Sequence, residues 1–225
     1  MDEPASHYFS RQPAVGSSER IVELSLPDVE LSFITDRGVF SGDRIDTGSR
    51  FLLQTHADFT RPQGHVLDIG CGYGPIAVTA AKRMGHNQVW AIDVNERAVE
   101  LCWRNALRND VNVLALVVDE NGMADTTFNR DLFAKHDADP ALVDGFGEIT
   151  FAEILSNPPI RIGKSALQSL LTKWLSRLEI NGHAYLVVQK HLGADSLSRW
   201  LNEQDWPTQR LASRAGYRIL DVTRE

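Results

Sequence analysis

Cysteine is scarce in this chain, with two residues in 225, and two thiols supply too few ligands for a metal cluster of their own. One lies in a glycine-rich turn. The other, Cys102, falls on the helical stripe Val99, Cys102, Trp103, Ala106 and Leu107, so both read as reduced structural thiols. Absent too is any apolar run near the roughly 18 residues that a membrane span needs. The opening Met1-Asp2-Glu3-Pro4 is acidic and lacks the basic flank of a secretory signal, so a cytoplasmic protein with no membrane partner is expected. An excess of positive charge is also missing. The net charge of −7 excludes a strongly basic nucleic-acid-coating protein.

The negative charge is not spread evenly. Between Asp119 and Glu153 nine acidic residues face only Arg130 and Lys135, and the remainder of the chain is neutral. Residues 160–225 carry ten Lys or Arg against six Asp or Glu, so a local basic face remains open. The acidic stretch reads as a solvated surface insertion near 120–150. It is long for a connection, so some structure of its own or a lid role is expected.

A hydrophobic content of 43% over this length supports one substantial core. The chain divides near residue 62. Residues 1–61 form an N-terminal appendage with a loosely ordered start, a β-hairpin over 21–26 and 29–34 turning at Pro27-Asp28, and a short helix over 49–57. Residues 62–225 then alternate between strand and helix signals. Strands are expected at 65–69, 89–92, 113–118, 151–155, 184–188, 209–213 and 218–222, and helices at 75–84, 96–108, 165–178 and 194–203. The fold class is therefore α/β, a Rossmann-like seven-stranded and mostly parallel sheet with helices on both faces.

Residues 66 to 74 read Val-Leu-Asp-Ile-Gly-Cys-Gly-Tyr-Gly between the first of those strands and its helix. Gly70, Gly72 and Gly74 let the backbone turn sharply and approach a ligand, with Cys71 and Tyr73 between them. A dinucleotide would require glycine at the sixth position to admit its pyrophosphate, and that position is Pro75. S-adenosylmethionine carries no phosphate and suits the turn. Asp68 supplies a carboxylate near the cofactor's ammonium group or an ordered water. Asp93, followed by Val94, ends the second strand where a carboxylate accepts both ribose hydroxyls, and Asp119 ends the third, beside the adenine amine.

Asn157-Pro158-Pro159-Ile160 follows the fourth strand on the same edge. The prolines stiffen the loop and remove N–H groups, so it offers oxygens. If the Asn157 side-chain oxygen and the Pro158 carbonyl each accept one hydrogen of an exocyclic amine, that nitrogen becomes pyramidal and nucleophilic. Methyl transfer to nitrogen is the expected chemistry, with no metal. Pro159, Ile160, Arg161 and Lys164 lie beside the acceptor, the two cations within reach of phosphates. Ile160 is aliphatic where adenine and glutamine enzymes carrying this loop usually place an aromatic residue.

These motifs, with Asp93-Val94-Asn95-Glu96-Arg97-Ala98-Val99, Asn157 through Lys164, and the upstream Gly38 through Arg50, resemble the RsmC-type ribosomal RNA guanine-N2 methyltransferases of the "methyltransferase small" group. The resemblance spans about 21–225. It implies a class I S-adenosylmethionine-dependent enzyme that methylates the exocyclic N2 amine of a guanine, with small-subunit ribosomal RNA or the ribosomal subunit as partner. By the same resemblance Phe40, Asp46 and Gly48 close over the methionine end of the cofactor. Asp68, Gly70, Gly72, Asp93 and Asp119 hold the rest. An N-methyltransferase of a protein glutamine or an adenine is the first alternative, and a non-catalytic RNA- or ribosome-binding module the second. The type member carries an additional N-terminal domain, so RNA recognition here is expected from the N-terminal appendage, the Arg161 and Lys164 loop, or a partner.

Overall fold

Alternating apolar residues open the fold in the computed structural model, which describes residues 11–13, 15–56, 63–85 and 88–225. Strands β1 (Arg20–Ser25) and β2 (Glu30–Thr35) pair antiparallel, Val22 opposite Phe33 and Leu24 opposite Leu31. That register puts all four on the buried face. Helix α1 (Thr47–His56) follows. Ala57, the expected end of this helix, and the expected boundary at 61 and 62 lie outside the described residues.

The main sheet has the order β5-β4-β3-β6-β7-β9-β8. Its strands are β3 (Val66–Ile69), β4 (Val89–Asp93), β5 (Val113–Val117), β6 (Phe151–Ser156), β7 (Leu178–Gln189), β8 (Thr208–Arg214) and β9 (Tyr217–Thr223). Strands β3 to β7 pair in parallel, and β9 runs against both of its neighbours. Helices α2 (Pro75–Met84), α3 (Glu96–Arg108), α6 (Lys164–Leu175) and α7 (Ala194–Glu203) supply the connections, and the expected α/β class with a seven-stranded sheet and an N-terminal hairpin is the observed one. The central strand β3 and the edge strand β5 are buried at every position, as a parallel sheet covered on both faces requires. Among the described residues no helix is long and apolar enough to cross a membrane.

One difference from the sequence reading has a physical cause. Helix α6 stops at Leu175, and β7 begins at Leu178, where a strand was expected only from 184. Leu178 pairs with Phe151 and is fully buried, so its packing overrides the turn signal of Asn181-Gly182, which survives as an irregularity inside the strand. The acidic stretch has structure of its own, as expected, and Asp119, Glu120, Asp131, Asp137, Asp139, Asp144 and Glu148 are exposed. It folds into α4 (Thr126–Lys135), α5 (Ala141–Gly145) and a 3₁₀ turn, and Leu132, Phe133, Val143 and Phe146 enter the core. Glu153, counted among its acids, is buried in β6 with its Oε1 2.8 Å from His56 Nε2.

Asparagine side chains act as rungs on two exposed strand edges. Asn129 on α4 accepts from the Val117 N–H and donates to the Val117 carbonyl, both at 2.8 Å, which closes the free edge of β5. On α3, Asn105 and Asn109 sit one helical turn apart on one face. Asn105 accepts from Ile34 N–H at 2.7 Å and donates to the Ile34 and Tyr73 carbonyls at 2.8 Å, while Asn109 spans Ser32 in the same way. The hairpin is thereby held to the helix that follows β4. Replacing Asn105 by Ala strands a buried N–H and two carbonyls, and should destabilise the protein by about 2 to 4 kcal/mol in a denaturant titration. A change within experimental error would show that the hairpin docks by apolar contact alone.

Candidate functional site

Parallel registry brings the reactive segments to one rim. Ile69 of β3 pairs with Ser156 of β6, so Gly70 and Asn157 leave adjacent strands side by side, and Ser156 Oγ donates to the Ile69 carbonyl at 2.8 Å. The cleft above them is lined by Phe40, Asp46, Gly70, Gly72, Tyr73 and Asn157, together with Ser41, Ser49, Cys71, Pro75 and Ile76. Cys71 and Cys102 are both free and buried, and the hydrogen-bonding contact with Cys102 and then burial push the Cys71 thiol up, as inert structural thiols require.

Each glycine of the turn has a separate reason. Gly70 and Gly72 adopt φ +72° and +56°, which favours glycine, and nothing lies nearer to their missing Cβ positions than Pro159 Cδ at 3.9 Å from Gly70. The space above them is left to a ligand. Gly74 is needed by the protein itself, because a Cβ there would meet Cys102 Sγ at 2.8 Å. Gly48 likewise lies against the Tyr217 ring and does not line the cleft.

The strand-end acids hold the turns around the cleft, and none of the three is among the residues that line it. Asp93 Oδ2 accepts from Gly72 N–H at 2.9 Å and Oδ1 from Asn95 N–H at 3.0 Å, leaving further lone pairs on both oxygens. Val94 occupies the turn that follows. Asn95 caps α3 as expected and also donates to the Gly38 carbonyl at 2.7 Å, which anchors the loop carrying Phe40. Asp119 is exposed, and its Oδ1 accepts from Met123 N–H at 2.8 Å, fixing the turn beyond β5. Asp68 lies beneath the glycine turn and is 1% exposed. Its Oδ2 accepts from Ala77 N–H at 3.0 Å, while its buried Oδ1 has no partner among the described residues. Burial, with Asp93 nearby and despite the Ala77 N–H, pushes the Asp68 carboxyl from 3.8 up to about 8.

Asn157 is the most tightly specified side chain of the site. Its Nδ2 donates to Asp46 Oδ2 at 2.8 Å and to Ser49 Oγ at 3.1 Å, so both amide hydrogens are committed and Oδ1 remains free to accept. Asp46 Oδ2 also accepts from the N–H groups of Gly48 and Ser49, capping α1. The Pro158 carbonyl accepts from Ile160 N–H at 2.8 Å, which fixes its direction and leaves one lone pair. Pro159, Ile160, Arg161 and Lys164 follow in the chain, but none of them lines this cleft, and Ile160 and Lys164 line a separate groove.

Sequence reasoning missed Ser49 and Arg11. The Asp-Thr-Gly-Ser run at 46–49 reads as a cap before a helix, a signal that would have placed Ser49 beside Asp46. Arg11 has no comparable signal. Its guanidinium bridges Glu96 and Asp125 and lies over the Phe128 ring, while its carbonyl accepts from Glu96 N–H at 2.9 Å. One side chain thus ties together the segments that follow β4 and β5.

The methyltransferase small domain profile matches residues 30–221. This chain belongs to that family. It is 34% identical over 218 residues to the uncharacterized protein YbxB of Bacillus subtilis, covering 96% of this chain and 97% of that one. It is 33% identical over 190 residues to the ribosomal RNA small subunit methyltransferase C of Pseudomonas entomophila, covering 83% of this chain and 49% of that protein. The chain spans about half the length of the ribosomal RNA methyltransferases it matches. The structure of the Thermus thermophilus 16S rRNA N2 G1207 methyltransferase, RsmC, in complex with AdoMet and guanosine shares its fold, with a TM-score of 0.70 and 24% identity over 95% of this chain and 52% of that one.

The residues of the site fit S-adenosylmethionine, the molecule bound in that Thermus thermophilus structure. An open glycine turn without a phosphate-binding sixth glycine and a carboxylate at the end of β4 with spare lone pairs match adenosine and its ribose.

The Asp68 carboxyl gives a prediction with a defined sign. Because its folded pKa is raised, its stability contribution is complete below about pH 4 and is lost as pH rises through about 8. The melting temperature of the cofactor-free protein should therefore fall between about pH 4 and pH 8 and level off above that. In Asp68→Asn, which stays neutral and still accepts the Ala77 N–H, that part of the slope should vanish. Identical slopes in scanning calorimetry would contradict the assignment.

Proposed function

We propose that this S-adenosylmethionine-dependent methyltransferase modifies the exocyclic N2 amine of a guanine in ribosomal RNA of the small subunit. The observation that carries the reading is the direction of Asn157: with both amide hydrogens held by Asp46 and Ser49, only an acceptor faces the cleft. An acceptor is what a hydrogen-rich amine needs. The relatives named ribosomal RNA small subunit methyltransferase C support ribosomal RNA as the substrate. The aliphatic Ile160 favours guanine over acceptors that are stacked on an aromatic residue at this place.

An aromatic exocyclic amine shares its lone pair with the ring and is a weak nucleophile. Asn157 Oδ1 accepts one of its hydrogens and the remaining lone pair of Pro158 O accepts the other, which draws the nitrogen toward a pyramidal geometry. S-adenosylmethionine, when bound, supplies an electrophilic methyl group on a sulfonium. Asp68, the glycine turn with Cys71, Tyr73 and Gly74, Asp93 with Val94, and Asp119 hold that cofactor, and Phe40 and Asp46 close its methionine end. Arg161 and Lys164 take phosphates beside the target base.

Purified protein incubated with methyl-labelled cofactor and small-subunit RNA, or subunits from a deletion strain, should yield N2-methylguanosine on nuclease digestion and mass spectrometry. Label in a protein glutamine or in adenine would select the rival acceptor, and no transfer at all would leave a binding module. Asn157→Ala should lower turnover at least about tenfold while calorimetry finds cofactor affinity changed less than about threefold. Unchanged turnover would remove Asn157 from this role.

A further inference from the structure

A second cavity lies on the other side of the Asn157 loop, above β6 and β7. Ser156 pairs with Leu186, so Val188 reaches the same rim as Pro158, one strand beyond the cofactor cleft. From there a groove of about 270 Å³ opens between α6 and the segment joining β7 to α7. Ile160, Leu167, Val188, Leu192 and Leu197 form its apolar walls. Leu192 is 44% exposed, a large apolar side chain left facing water.

Polar groups rim these walls. Lys164 lines the groove, Lys190 stands on the same 3₁₀ turn as Leu192, and Arg161 lies on the turn after Pro159. Among the described residues none of the three has a carboxylate partner, whereas the cations on the opposite edge, Arg11, Arg130 and Lys135, are all paired. Gln168 presents an uncommitted amide, both donor and acceptor, and Ser196 Oγ, whose hydrogen goes to the Gly193 carbonyl at 2.9 Å, presents lone pairs. Apolar faces bordered by free cations and a hydrogen-bonding amide match a nucleotide, which joins a flat base to a phosphate. The volume is near the lower end of small-ligand pockets, the size of one base rather than of a folded domain.

We propose that this groove is a second nucleotide subsite, which takes the base adjacent to the methylated guanine in single-stranded RNA. The base lies between Ile160 and Leu192, its edge is read by Gln168 and Ser196, and Lys164 and Lys190 hold the phosphates on either side. This inference rests on RNA being the substrate. It adds that the enzyme reads one flanking base, and that a chain with little positive charge overall grips its substrate through a few unpaired cations at this rim.

The test uses a fluorescein-labelled RNA pentanucleotide with a central guanine, bound to the full chain in the presence of S-adenosylhomocysteine and followed by anisotropy across a salt series. Leu192→Asp should weaken binding about tenfold. An abasic residue at one flanking position should weaken it similarly and abolish the further effect of Leu192→Asp. The double variant Lys164→Gln, Lys190→Gln should flatten the slope of log affinity against log salt by about 1.4, about 0.7 for each lost phosphate contact to a single strand. Cofactor affinity of each variant serves as the control for folding. Wild-type binding with equal affinities and slopes in all variants would overturn the subsite and leave the proposed substrate intact. Absence of RNA binding by the wild type would overturn both. Variants that bind the pentanucleotide normally yet fail on intact subunits would assign the groove to a ribosomal protein and likewise overturn the inference.

Discussion

The proposed transfer to an amine depends on which way one amide points. A side-chain amide offers two donors or one acceptor according to a rotation of 180° about its last bond, and only the acceptor face can receive an amine hydrogen. Asp46 and Ser49 settle the choice for Asn157, since neither the carboxylate oxygen nor the hydroxyl lone pair would bond Oδ1 in place of Nδ2 without loss. Asp46 is in turn fixed by capping α1, so the rotamer of a residue after β6 is decided by the first turn of a helix 108 residues earlier in the chain. The loop's two prolines contribute stiffness, and the Ile160 N–H sets the direction of the Pro158 carbonyl.

The residues before β3 are therefore part of the site. Arg83 joins the hairpin turn to α1 and α2, through a bidentate pair with Asp28 and a bond to the Leu53 carbonyl at 2.7 Å. Asn105 ties β2 to the carbonyl of Tyr73 in the glycine turn, and Tyr73 OH reaches back to the Arg44 carbonyl at 3.1 Å. Polar side chains with both donor and acceptor atoms do here what a neighbouring strand does in a sheet. They satisfy backbone N–H and carbonyl groups of Ser32, Ile34 and Val117, and they specify where the hairpin sits more narrowly than apolar contact would.

Much of this was legible in the residues. The strand and helix pattern from β3 onward follows from hydrophobic period and from Pro75, Asn95 and Gly85 at helix ends, and the limits of α2, α3 and α7 agree with that reading. The Gly70 turn and Asn157 share a rim because parallel strands emerge at the same edge, a property of the fold rather than of either motif. What could not be read were effects of tertiary partners. Nothing local in Leu178 announces that Phe151 recruits it into a strand. Acidic composition concealed the apolar face of α4 and Phe146, which packs near Trp90 and Trp174. Asn105, Asn109 and Asn129 look like ordinary polar helix residues until the edges they cover are known, and Arg11 lies 85 residues from Glu96.

A crystal structure with a non-transferable S-adenosyl analogue and guanosine monophosphate tests the central claim most directly. The account predicts the guanine N2 atom at hydrogen-bond distance, about 2.7 to 3.2 Å, from Asn157 Oδ1 and from the Pro158 carbonyl, with Asn157 Nδ2 still on Asp46 and Ser49. An Asn157 amide turned to present Nδ2, or a guanine bound with its amine away from both oxygens, would contradict it.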